Sequence, residues 1–302
     1  MPSAAAKAPI RPLKGVRILS LALNLPGPAA LMRCQAMGAT CIKLEPMAHP
    51  AAAPGSSSDP MAIYARLAYD RMHQGMKILT ADLKADAGRK LLQRELSKAD
   101  VLITSFRPSA LEKLGLGWKA LHKAYPQLSM VAIFGAAGAR AEEPGHDLTY
   151  MAENDLVTGL DLPASLYADM GGSLTVSEAV LQTRLQQLQK GKSVRLEVSL
   201  SDAAAYLGLP RAWGLTAPQA AVGGGHAGYR VYACKDGRVA MAALEPHFAA
   251  PLADAAGLAD SSVQTLFTAA AHTTIAAFLA GKTRKQLNAL AVARDIPLHT
   301  LK

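Results

Sequence analysis

Two textures of apolar residues alternate along this chain. Short, nearly continuous apolar runs at 16–21, 40–44, 77–81, 100–104, 129–134 and 194–200 read as strands, the first of them buried. Between them, apolar residues recur at helical spacing. One such segment follows Pro26-Gly27-Pro28 and runs through Met37 to a stop at Gly38; others cover 87–99, 110–124 and 171–190, the last closed by Gly191. Strands that alternate with helices need crossover connections. The pattern therefore predicts an α/β fold with a doubly wound, mostly parallel, Rossmann-like sheet.

The texture changes beyond Gly223-Gly224-Gly225. Two apolar runs, 229–234 and 239–244, flank Lys235-Asp236-Gly237-Arg238, and an Asp-Gly pair in that position predicts a β-hairpin. Helical spacing follows over 247–256 and 273–293. The expected organisation is a disordered tail over 1–12, a large domain over 13–209, a linker over 210–224 and a small α+β domain over 225–302. Residues 48–59, rich in Ala, Pro and Ser, read as a surface loop.

Composition narrows the class. At 302 residues, with 50% hydrophobic and 18% charged, the chain has ample material for a buried core. Its three cysteines, Cys34, Cys41 and Cys234, share no metal-ligand spacing, so reduced structural thiols and no metal site are expected. No apolar run approaches the ~20 residues that span a bilayer. A cytoplasmic protein with no membrane partner is the expectation. The net charge of +9 would suit a polyanion, but Lys and Arg are scattered and aromatic residues make up 5%. That excludes the basic, aromatic-lined surfaces of nucleic-acid binders and favours a phosphate-bearing small molecule.

Three polar residues stand at expected element boundaries, where chemistry-bearing side chains concentrate. Asp169 precedes Met170-Gly171-Gly172 and a long helix, a position that suits either a helix cap or a carboxylate beside open backbone amides. His146 lies between Gly145 and Asp147 near the carboxyl edge of the expected sheet, and an imidazole suits acid-base work there. Glu245 follows a strand and precedes Pro246, so it is either a surface carboxylate at a turn or a partner that orients His146. No GxGxxG follows the first strand, which argues against a dinucleotide site.

Several segments together carry a resemblance: Leu13-Lys14-Gly15-Val16-Arg17-Ile18-Leu19, Gly38-Ala39-Thr40-Cys41-Ile42-Lys43-Leu44-Glu45-Pro46, Thr80-Ala81-Asp82-Leu83-Lys84, Phe106-Arg107-Pro108, Leu114-Gly115-Leu116-Gly117 and Leu244-Glu245-Pro246-His247-Phe248. In their order and spacing the chain resembles the family III CoA-transferase superfamily, and within it the α-methylacyl-CoA racemases. The resemblance implies an acyl-CoA substrate with CoA entering as part of it, no permanently bound cofactor, and a homodimer. It implies that Asp169 and His146 are the two acid-base groups of a racemase, supported by Glu245, or that Asp169 is the nucleophile of a CoA transferase. An inactive acyl-CoA-binding relative is a further reading. Lys43, Lys77 and Arg107 fall at positions that imply phosphate contacts, and Gly171 and Gly172 at positions that imply amide donors. The usual Gln-Thr-Gly-Pro segment is replaced by Gly135-Ala136-Ala137-Gly138-Ala139-Arg140, so a different acyl pocket is expected. Relatives of this kind continue beyond the equivalent of Lys302 and return to the large domain. A looser dimer or a monomer is the expectation from that difference.

Overall fold

Strand order β3-β2-β1-β4-β5-β6, all parallel, defines the first of two sheets in a computed structural model that describes residues 10–48 and 57–302. Residues 1–9 of the expected tail and 49–56 of the expected loop lie outside the described residues. The chain divides into two compact units, Met1–Gly208 and Leu209–Lys302.

In the first unit the elements follow in the order β1 (Arg17–Ser20), α1 (Pro26–Ala36), β2 (Thr40–Glu45), α2 (Pro60–Tyr64), α3 (Arg66–Met72), β3 (Lys77–Thr80), α4 (Asp86–Leu96), β4 (Val101–Thr104), α5 (Pro108–Lys113), α6 (Trp118–Ala124), β5 (Ser129–Phe134), α7 (Asp147–Glu153), α8 (Tyr167–Lys190), β6 (Arg195–Ser199) and α9 (Leu200–Leu207). The inner strands β4 and β5 are buried at every residue, whereas the edge strand β3 is not buried at any. Continuous apolar runs in the middle of the sheet follow from that two-sided cover. One core layer joins Ile18, Ile103, Val131 and Ile133 to Leu31 of α1 and Val176 and Val180 of α8. The other joins Leu19, Leu102 and Met130 to Leu92 and Leu96 of α4.

Local chemistry explains where the elements begin and end. Gly27 lets α1 pack directly on the chain leaving β1, since a Cβ there would lie 2.3 Å from the Cβ of Ala22. The helix expected over 110–124 is broken into α5 and α6 because Gly115 takes φ 71°. Cys34 and Cys41 are buried free thiols, each pushed up to about 12 by burial, so neither is a thiolate near neutrality.

The second unit begins with α10 (Leu209–Ala212) and a 3-10 turn (Ala221–Gly223), so the stretch expected as a linker carries structure of its own. Then come β7 (Tyr229–Cys234), β8 (Gly237–Ala242), α11 (Pro246–Ala256), α12 (Val263–Leu266), α13 (Ala269–Ala280), α14 (Arg284–Arg294) and β9 (Leu298–Leu301). The expected hairpin forms with Cys234 paired to Gly237, and β9 adds antiparallel to β8 as an unforeseen third strand. The helix expected over 273–293 is two helices. Thr283 accepts from the Gln286 N–H while the Gln286 side chain accepts from the Thr283 N–H, a capping box that starts α14 afresh.

Candidate active site

In a parallel sheet of this order, β1 and β4 are neighbours whose following chains leave in opposite directions, and a crevice opens beyond their carboxyl ends. That crevice is a cleft of about 190 Å³ within the first unit. The β1–α1 loop contributes Asn24, the β4–α5 loop contributes Ser105 and Arg107, the chain after β5 contributes Gly135 and His146, α7 contributes Tyr150, and α8 contributes Asp169. Two of the sequence-derived catalytic candidates, His146 and Asp169, thus line one cleft with Arg107.

His146 stands immediately before α7, in extended conformation at φ −143°. Its backbone is pinned on both sides: its N–H donates to Thr149 Oγ1 at 3.0 Å, and that hydroxyl donates back to the His146 carbonyl at 2.7 Å. The imidazole is carried exposed at the mouth of the cleft.

Asp169 is not the cap residue of α8. The helix starts at Tyr167, which puts Asp169 in its first turn and half-buried. The Asp169 N–H donates to Oδ1 of Asp147 at 2.9 Å, and Asp147 is itself buried. Two carboxyl groups therefore share one poorly solvated corner. Burial, and after it the nearby Asp147 carboxylate, pushes the Asp169 carboxyl up to about 7. A carboxyl poised there holds a proton about half the time at neutral pH, so it can either take or give one.

Gly171 and Gly172 do not supply open amides. They lie in the second turn of α8, where backbone N–H groups are spent within the helix. Their missing side chains serve packing instead: a Cβ at Gly172 would lie 2.2 Å from Leu200 Cδ2, and one at Gly171 would lie 2.9 Å from Leu207 Cδ1. Both glycines leave that space to the Leu200 and Leu207 side chains where α9 packs on α8.

The three basic candidates separate. Arg107 is exposed, lines the cleft, and makes no ion pair with any described residue. Its guanidinium lowers the Tyr150 hydroxyl, against larger raising effects of burial and of Asp169. Lys77 is exposed at the first residue of edge strand β3, paired with Ile42 in the sheet and absent from the cleft lining.

Lys43 is fully buried, which removes it from any phosphate at the surface. Its ammonium lies 2.9 Å from Glu45 Oε1, is paired with Asp59, and is 3.0 Å from Nε2 of His73. An ammonium can only donate, so Nε2 accepts and the ring proton sits on Nδ1, which donates to the Tyr69 carbonyl at 2.7 Å. Burial, and next the charge of Lys43, lowers the His73 pKa and keeps this ring neutral. Burial alone would raise the Glu45 carboxyl, but hydrogen bonds from Ser57, Lys43 and Tyr69 bring it below its ordinary value. Glu45, Asp59 and His73 offer ligand atoms within 4.8 Å of one another, the spacing of a cation site, and the cation at their centre is Lys43.

Glu245 belongs to the second unit, where it is exposed just before α11 and its carbonyl accepts from the N–H groups of Phe248 and Ala249. Its side chain does not cap that helix.

Sequence reasoning passed over Asn24, Asp147 and Tyr150. The signal for Tyr150 is a pair of glycines: a Cβ at Gly135 would lie 2.1 Å from the Tyr150 hydroxyl, and one at Gly145 would lie 2.5 Å from its Cε1. Both are present because the buried ring fills that space. Gly135→Ala is expected to displace the ring and cost about 1–3 kcal/mol of stability. An unchanged urea midpoint would refute that account.

Known proteins resemble this chain in sequence and in fold. Human α-methylacyl-CoA racemase is 27% identical over 254 residues, covering 78% of this chain and 62% of that protein. A probable fatty acyl-CoA transferase of Mycobacterium tuberculosis is 30% identical over 212 residues, covering 66% of this chain and 53% of that one. The chain thus spans between half and two thirds of the length of these relatives. A solved structure of a hypothetical protein from Mycobacterium tuberculosis superposes with a TM-score of 0.81 at 24% identity, over 97% of this chain and 86% of the other. CoA-transferase family III matches from residue 13 to residue 302, and the chain belongs to that family.

Proposed function

We propose that the protein is an acyl-CoA enzyme that racemises or epimerises 2-methylacyl-CoA thioesters by two-base proton transfer at the α-carbon. The observation that carries the reading is the joint lining of one cleft by an imidazole and by a carboxyl raised to about 7. A thioester acidifies its α-hydrogen, and inversion needs one group to remove the proton while another returns it. Both groups must change protonation state near working pH. Burial beside Asp147 meets that requirement for Asp169. The cleft, at about 190 Å³, has room for the reacting end of a thioester, with Arg107, which has no ion pair among the described residues, as a cation for an anionic part of the ligand.

The named relatives include a fatty acyl-CoA transferase as well as a racemase, which favours a second reading in which Asp169 attacks the thioester carbonyl. That step would join the Asp169 oxygen to the acyl carbon and release CoA as its thiolate. Incubation with a 2-methylacyl-CoA in deuterium oxide separates the two. Racemisation incorporates deuterium at the α-carbon, and His146→Ala reduces that incorporation about 100-fold or more. Covalent trapping of Asp169 by hydroxylamine without α-exchange would overturn the racemase reading in favour of the transferase.

A further inference from the structure

The β1–α1 loop holds one residue that two-base chemistry leaves unused. Asn24 takes φ 64°, in the left-handed region, and lines the cleft with Asp169, His146 and Arg107. Asparagine tolerates that conformation better than most non-glycine residues, yet it still has to be held there. Three contacts do so. The Asn24 N–H donates to both carboxylate oxygens of Asp59, at 3.1 and 3.2 Å. Asp59 is buried, paired with Lys43, and also accepts from the Met61 N–H at 2.9 Å. Finally, the Tyr64 hydroxyl donates to Asn24 Oδ1 at 2.9 Å.

That last bond fixes the carboxamide's orientation. Because Oδ1 is the acceptor for Tyr64, the Nδ2 amino group is the end left over, and it has no partner among the described residues. It is a neutral donor on a braced loop at the edge of a cleft whose acid-base groups are already accounted for. Deprotonation at the α-carbon moves negative charge onto the thioester oxygen, and that charge requires a preorganised donor. Gly171 and Gly172, the donors expected from the sequence, have their amides committed inside α8.

We propose that the Asn24 carboxamide donates a hydrogen bond to the thioester carbonyl oxygen of the acyl-CoA, with Tyr64 and the buried Asp59–Lys43 pair holding it in place. This assignment rests on the thioester substrate class proposed above. It deepens that reading by naming the group that recognises the reacting carbonyl.

The test compares two ligands, a 2-methylacyl-CoA and the thioether analogue in which a methylene replaces the carbonyl. Asn24→Gly keeps the left-handed backbone without strain and removes only the carboxamide. Its expected effects are an affinity for the thioester lower by about tenfold and an α-exchange rate lower by about 100-fold, with thioether affinity unchanged. Tyr64→Phe, at an exposed position, keeps the amide but releases its orientation, and a smaller loss confined to the thioester is expected. Equal weakening of both ligands in Asn24→Gly would show a purely structural residue and overturn the assignment. So would a wild-type protein that does not prefer the thioester. Absence of α-exchange in wild type, with the thioester preference present and lost in Asn24→Gly, would overturn racemase chemistry and leave the Asn24 assignment standing.

Discussion

Lys43→Met is expected to destabilise the first unit by about 3–5 kcal/mol at neutral pH, the characteristic loss when one partner of a buried ion pair is removed. The side chain is fully buried and its ammonium is the counter-charge for both Glu45 and Asp59. Methionine matches the length of the aliphatic stem but leaves two carboxylates facing each other in a dry site. The loss should depend on pH in a specific sense. In wild type, Glu45 has a folded-state pKa below its unfolded value, so its contribution is present above that value and is lost on acidification. In the variant, the unpaired carboxylates acquire raised folded-state values. Their penalty therefore shrinks as they take up protons at low pH. Urea unfolding at pH 4.5 and 7.5 should show a much smaller difference between the two proteins at the acid value. An equal difference at both would refute the account of Lys43 as the centre of the cluster.

Asp169→Asn should separate activity from stability. Loss of the proton-transferring carboxyl is expected to lower α-deuterium exchange by about 10²–10⁴-fold. Stability should move the other way above neutrality. The folded-state value of about 7 lies above the ordinary value of 3.8, so the fold disfavours the ionised form. A penalty of that sign is absent below the unfolded pKa, grows as pH rises through the interval, and is complete above about 7. Asparagine cannot ionise, so the variant should match wild type near pH 4 and exceed it by about 2 kcal/mol at pH 8, after allowance for solvent screening of a half-buried group. Denaturation profiles across pH 4–8 test this. A variant less stable than wild type at pH 8 would show that Asp169 is stabilised by its surroundings and not strained by them. The Asp147→Asn variant offers an internal control, since it removes the second cause of the raised value while the amide oxygen still accepts from the Asp169 N–H.

Much of the architecture is written locally. Unbroken apolar runs such as 129–134 have no polar face, so they must be covered on both sides, and the helices between them supply that cover. Parallel pairing and the crevice beyond β1 and β4 follow from that alternation, which is why His146 and Asp169 were legible as candidates. Boundary errors arose where local signals compete. The glycines after Asp169 read as a helix opening, yet α8 begins two residues before Asp169, and the glycines answer to α9.

Charge state and exposure were decided only by tertiary structure. Lys43 reads from the sequence as a phosphate contact, but the segment from Asp59 to His73 folds over it and makes it the centre of a buried cluster. Asp147 lies 22 residues before Asp169, and no spacing rule brings them together. Asn24 has no motif at all; its conformation comes from Asp59, 35 residues away. Periodicity reports which side of an element faces away from water because burial of apolar surface scales with residue type alone. Proton affinity and hydrogen-bond direction depend on which distant groups share a poorly solvated volume, and only the folded chain determines that.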